Sequence, residues 1–144
     1  MRENLTKKLR KKAKGFTLVE VIVVLVIIAI LAALLVPSLT GYIDKARKQA
    51  VVIETRQVLM AAQTTATEFY GAGYKAADID TELNKADTIT AIKTLAEVPG
   101  TITAASFKSA GGKITEFEYV SGDYTVNYDA AGATVDKKFA ITGP

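Results

Sequence analysis

The sequence predicts an α+β fold: a long N-terminal α-helix, transmembrane and then amphipathic, packed on an antiparallel β-sheet of three to four strands. Three observations predict it. Val21 to Val36, VIVVLVIIAILAALLV, is sixteen residues without a polar side chain. Val51, Thr55, Val58, Ala62, Ala66 and Phe69 then recur at three- and four-residue spacing, which draws one apolar stripe along a helix, while Lys48, Glu54, Arg56 and Glu68 fall mostly elsewhere. Finally, four β-prone stretches come after the turn signal Pro99-Gly100: Thr101 to Lys108, Lys113 to Val120, Tyr124 to Asp129 and Ala133 to Ile141.

The first element starts near Phe16. Twenty-one helical residues from Phe16 to Val36 extend about 32 Å, enough for a bilayer core of about 30 Å. Seven basic residues and one acid precede them within residues 1–15, giving that block a charge of +6, whereas the remainder, with 11 basic and 14 acidic residues, is −3. By the positive-inside tendency the block stays in the cytoplasm and the chain beyond Pro37 lies outside. A cleaved secretory signal fits poorly, since its apolar region is shorter and ends in a small-residue box. A plain single-span anchor fits the hydropathy but leaves Glu20 unexplained. A carboxylate at helix-centre depth costs roughly 2.5–3.5 kcal/mol, so Glu20 either reaches the headgroups or serves a function with a partner.

Pro37 either bends or opens the helix or ends it at the interface, and Gly41 weakens the same turn. Gly71 and Gly73 stop the helix, which can otherwise run to about Tyr70. Short helical signals occur next, at Asp78 to Leu83 and from Thr88, a candidate N-cap, through Leu95. In the strands, alternation places Phe117 and Tyr119 with Tyr124, Val126 and Tyr128 on one face, expected against the helix. The segments are therefore 1–15, a basic leader; 16–41, the hydrophobic transmembrane helix; 42–70, its amphipathic outer half; and 71–144, a globular head.

With no Cys and no His, the chain has no disulfide framework, thiol nucleophile, Ser-His-Asp triad or Cys/His zinc site. No catalytic residues, metal ligands or cofactors are assigned, and an enzyme is not expected. Asp78, Asp80 and Glu82 alternate as calcium ligands can but lack the full loop pattern, so a solvated acidic turn is the expectation. Glu116 and Glu118 share a strand face without establishing acid–base chemistry. Lys137-Lys138 is too short for a specific nucleic-acid site.

Lys14-Gly15-Phe16-Thr17-Leu18-Val19-Glu20, with a basic leader before and an apolar run after, closely resembles the processing signature of type IV pilins and their pseudopilin relatives. The resemblance covers about residues 7 to 55, with Pro37 where many pilins have a helix-bending proline. It implies a pilin-like fold, cleavage between Gly15 and Phe16 by a prepilin peptidase, and N-methylation of Phe16. It implies assembly through Phe16, Glu20 and Pro37, with the Phe16 amine pairing with Glu20 of a neighbouring subunit. Implied partners are further copies of the chain in a filament, the peptidase, an inner-membrane assembly platform and the lipid bilayer before assembly. The implied location is the cytoplasmic membrane as a single-pass precursor, then a surface pilus for adhesion, motility or aggregation. A pseudopilin of a secretion or competence machine and a monomeric membrane-anchored binding module stand as alternatives. Many Gram-negative pilins close the head with a disulfide; this cysteine-free chain looks more like the major pilins of clostridia-like Gram-positive bacteria.

Overall fold

The computed structural model describes residues 15–104 and 106–144. Of the basic leader, only Gly15 lies within the described residues. The chain divides into two compact units between Tyr42 and Ile43, and helix α1, Leu18–Gly71, has its residues in both.

Within the first unit every residue from Gly15 onward whose side chain is described is exposed. The apolar run faces outward on all sides. The 18-residue window that best fits a membrane span has a mean hydropathy of 3.3 and none of it is buried. This helix is long and apolar enough to cross a membrane. Each large apolar side chain left in water forgoes about 1.5–3 kcal/mol of burial, so a cover of lipid or protein strongly stabilises the segment. The helix runs unbroken through Pro37 and does not end there, which removes the interfacial-stop alternative. The Thr40 hydroxyl donates to the Pro37 carbonyl at 2.9 Å.

The second unit is the head. Its helix stripe is the predicted one: Val51, Thr55, Val58, Ala62 and Ala66 are buried, and Phe69 packs partly buried against them. Thr55 tolerates full burial because its hydroxyl donates to the Val51 carbonyl at 2.7 Å. The helix ends at Gly71, where the sequence places its stop. Helix α2, Ala76–Leu83, and α3, Ala86–Ala96, contribute Ile79, Leu83, Ile92 and Ala96 to the same core. Helix α3 begins before the expected cap. Lys85 stands at the N-cap with no side-chain capping bond, and Thr88 is already in the first turn.

Among the described residues the sheet has five strands rather than three to four. The first expected strand divides into β1, Thr101–Ile102, and β2, Lys108–Ala110, both antiparallel to β3, Lys113–Ser121. Strand β4, Tyr124–Asp129, pairs with β3 and with the edge strand β5, Phe139–Thr142. The last expected strand, Ala133 to Ile141, yields to α4, Val135–Lys138, before β5. Thr134 caps that short helix, its hydroxyl accepting from the Lys137 N–H, a local bond that competes with strand pairing. Strands β3 and β4 meet at the two-residue loop Gly122-Asp123, where Gly122 takes a φ of 59°.

Alternation in β3 and β4 sends Phe117, Tyr119, Tyr124 and Val126 inward, all buried, with Tyr128 partly so. Phe107, Phe117, Tyr128 and Phe139 form a continuous row of rings with centroid separations of 5.4, 5.2 and 5.2 Å. Side-chain amides complete the frame. Gln63 of α1 donates to the Gly112 carbonyl at 2.7 Å and accepts from the Ile114 N–H at 3.0 Å, like an extra strand residue. Asn84 donates to the Phe107 carbonyl and accepts from its N–H.

Tyr119 joins three parts of the head. Its hydroxyl donates to Glu54 Oε2 of α1 at 2.8 Å and accepts from the Gly100 N–H at 2.9 Å. A Cβ at Gly100 would lie 2.3 Å from that hydroxyl oxygen, so only glycine allows the approach. Burial and, secondarily, donation to Glu54 push the Tyr119 phenol up to about 12. Its folded-state value is thus above the unfolded value of about 10. The resulting stability is complete below pH ~10 and lost as pH rises from ~10 through ~12. Alkaline titration of head stability, followed by circular dichroism, should show this decline in the wild type and a flatter profile in Tyr119→Phe.

Candidate functional site

The N-terminal residues of α1 form a small polar constellation at the head of an apolar rod. Thr17 is the N-cap: its Oγ1 accepts from the Glu20 N–H at 3.2 Å. Glu20 Oε2 in turn accepts from the Thr17 N–H at 3.4 Å. This reciprocal pair is a capping box, and it satisfies two donors that the helix itself cannot. Its sequence signal, a threonine followed three residues later by a glutamate, is present in Thr17-Leu18-Val19-Glu20, although hydropathy singles out only the acid. Glu20 is also the acidic residue of the first turn, where a negative charge offsets the positive end of the helix dipole by about 0.3–1 kcal/mol.

Gly15 and Phe16 precede the helix in non-helical backbone. Phe16 is 82% exposed, and a Cβ added at Gly15 meets nothing within 4 Å. The chain is therefore accessible at the Gly15–Phe16 bond, and the glycine there serves no packing need of this fold. Glu20 reaches back to the residue after Phe16, its carboxylate accepting from the Thr17 N–H. Pro37 lies further along α1 and is not part of this constellation.

Four of the other acids weighed from sequence have structural partners. Asp80 Oδ1 accepts from both the N–H and the hydroxyl of Ser109, at 2.7 and 2.6 Å, which pins α2 to β2. Glu82 pairs with Lys85 at 2.6 Å. Among the described residues no group of three or more acidic side chains is placed to hold a metal ion. Glu116 faces Lys108 at 2.5 Å, and Glu118 accepts from the Thr103 hydroxyl at 2.6 Å. Lys137 and Lys138 sit in α4.

Comparison with known proteins gives the same emphasis. The family described as the prokaryotic N-terminal methylation motif matches residues 10–36. The chain is similar to the type II secretion system core protein G of Klebsiella michiganensis, with 56% identity over 43 residues, 30% of each chain. It is similar to the protein of the same name from Escherichia coli K12, with 56% identity over 41 residues, 28% of each chain. It is also similar to the type IV major fimbrial protein FimA of Dichelobacter nodosus, with 40% identity over 60 residues, 42% of this chain and 38% of the relative. The matches thus span 28 to 38% of these relatives' length. No solved structure matches the chain.

Proposed function

We propose that this chain, whose residues 10–36 match the prokaryotic N-terminal methylation motif, is the major structural subunit of a type IV pilus and not an enzyme. It is held in the membrane as a precursor, cut between Gly15 and Phe16 by a prepilin peptidase, N-methylated on Phe16, and polymerised through α1. The observation that carries the reading is the juxtaposition of an accessible Gly15–Phe16 bond, a carboxylate held beside the prospective new terminus, and an apolar helix exposed on every side.

The chemistry is consistent. Cleavage removes the block of charge +6 that resists withdrawal of the helix from the membrane. It leaves a secondary amine on Phe16, cationic at neutral pH, at the end of a helix whose dipole repels positive charge. Glu20 of a docking neighbour supplies the compensating charge, and the low dielectric of packed helices strengthens the attraction. Each copy then presents a donor at one level and an acceptor at another, a heterologous contact that generates an open filament. Further copies, the peptidase and an inner-membrane assembly platform are the partners this function requires.

The longer similarity to a fimbrial protein, 60 residues against 43 for a secretion protein, favours a pilus subunit. The 56% identity to secretion proteins over the shorter segment favours the second reading, a pseudopilin whose filament stays short and serves export.

The test is intact mass and N-terminal sequence of protein sheared from native cells. A chain beginning at Phe16, one methyl group heavier than its sequence and sedimenting as filaments, supports the reading. A membrane-retained chain with residues 1–15 intact overturns it and supports the monomeric anchored module. Gly15→Val should abolish processing and filaments while leaving the head's thermal unfolding unchanged, because the added side chain meets nothing in the fold. A normally cut Gly15→Val chain would contradict the cleavage assignment. Loss of long surface filaments on deleting the chain separates a pilus from a secretion role, which predicts loss of export instead.

A further inference from the structure

The head carries two polar surfaces of opposite sign. One is a groove of about 660 Å³ between α1 and the α4–β5 edge. Val52, Ile53 and Phe139 contribute apolar surface to it, and Lys45, Lys48 and Arg56 contribute cations, with one acid, Asp136. Arg56 stacks over the Phe139 ring at 5.2 Å, which holds the guanidinium at the groove. Lys48 is paired with Asp44 at 2.9 Å. Ile53 and Val135, 59% and 55% exposed, leave apolar surface at this groove open to solvent.

The second surface is a hollow beside the outer face of the sheet. Glu116 and Glu118 alternate with the inward Phe117 and Tyr119, so they project away from α1, as Asn127 and Asp129 do from β4. The register sets Glu116 directly opposite Asp129, a like-charge pair that costs stability unless a cation intervenes. Lys108 intervenes in part, bonded to Glu116. Three carboxylates and one cation therefore line the hollow, the inverse of three cations and one carboxylate in the groove.

We infer that the groove of one copy receives the acidic sheet face of a second copy, so that Lys45, Lys48 and Arg56 meet Glu116, Glu118 and Asp129 while Asp136 meets Lys108. The two surfaces point to different sides of the head and cannot satisfy each other within one chain. Every copy carries both, so the contact is heterologous and repeats without closing. Charge complementarity of this kind fixes register and rejects wrong alignments, and the exposed apolar side chains of the groove are covered as the copies dock. The inference rests on the filament reading above and adds to it a contact between heads.

The absence of cysteine makes a site-specific test available. Full-length chains carrying Arg56→Cys with Glu118→Cys, or Lys45→Cys with Asp129→Cys, are assembled in cells, sheared and treated with a short bis-maleimide. Either pair should give a ladder of dimers, trimers and longer products, and each single substitution should give no ladder beyond the dimer. A control pair, Arg56→Cys with Glu68→Cys, should give none. Filaments of both test pairs without a ladder overturn the inference, whether a small anion or a different protein fills the groove. A ladder of equal strength from the control overturns it too. Absence of filaments from the wild-type chain would instead overturn the function from which the inference starts.

Discussion

Glu20→Val chains are expected to enter the membrane and to be cut after Gly15, yet to yield few filaments. Insertion becomes easier, because a carboxylate at depth costs roughly 2.5–3.5 kcal/mol that valine does not. Assembly becomes harder for two separable reasons. The substitution removes the carboxylate that caps the Thr17 N–H, and in the proposed filament it leaves each docked Phe16 amine without a counter-charge in an apolar bundle. Breaking one side of such a pair costs about 3–5 kcal/mol, or a loss of roughly a hundredfold or more in assembly equilibrium. Glu20→Gln distinguishes the reasons, since its amide oxygen can still accept from Thr17 but carries no charge. If the sheared yield from Glu20→Gln cells equals that of the wild type, the cap suffices and charge pairing is wrong. If both variants fail while processing proceeds, the pairing stands.

Phe117→Ala is expected to be the most damaging single truncation in the head. Phe117 is buried, 3% exposed, and sits between Phe107 and Tyr128 in the row of rings. Removing it breaks the row at an interior position and opens a cavity beneath the helix, a loss of about 3–5 kcal/mol. For a head of this size that lowers the melting temperature by about 15–30 °C. Thermal unfolding of the full chain in detergent micelles, followed by near-ultraviolet circular dichroism, measures the shift. Phe117→Leu should lose much less, because it retains most of the volume. Equal losses would show that ring stacking rather than volume carries the stability, and a small loss from Phe117→Ala would show that the core collapses around the gap.

The long helix and the facing of its outer half were legible because both rest on repetition. Sixteen uninterrupted apolar residues and a stripe from Val51 to Phe69 give signals that tertiary context reinforces. The inward aromatics of β3 and β4 were legible for the same reason, since alternation leaves one register that buries them. The features that escaped depend on single local bonds. Thr134 capping the Lys137 N–H turns part of an expected strand into α4. The start of α3 at Ala86 has no side-chain cap to announce it. Strand β2, split off from the expected first strand, carries a pairing shift between Lys108 and Ser109, and the bond from Ser109 to Asp80 that steadies it spans 29 residues. In the candidate site the residues were readable as a motif, while the use of Glu20 as a cap for Thr17 required geometry. The charge inversion between groove and sheet face was not readable at all, because it joins residues from α1 and the C-terminal edge on one side and three strands on the other.

The bonds that tie α1 to the sheet also set a time order for folding. Glu54 meets Tyr119 across 65 positions of sequence and Asp44 meets Tyr124 across 80, so the helix stripe waits uncovered until β3 and β4 have been synthesised. Contacts of such separation close slowly, in roughly milliseconds to seconds for sheet-dominated domains, and meanwhile Val58, Ala62 and Ala66 offer an apolar edge to any other nascent chain. In the proposed pilus role, a chain delivered amino end first is thus anchored well before its head is finished. The interval between anchoring and closure is when premature association of neighbouring helices would do most harm.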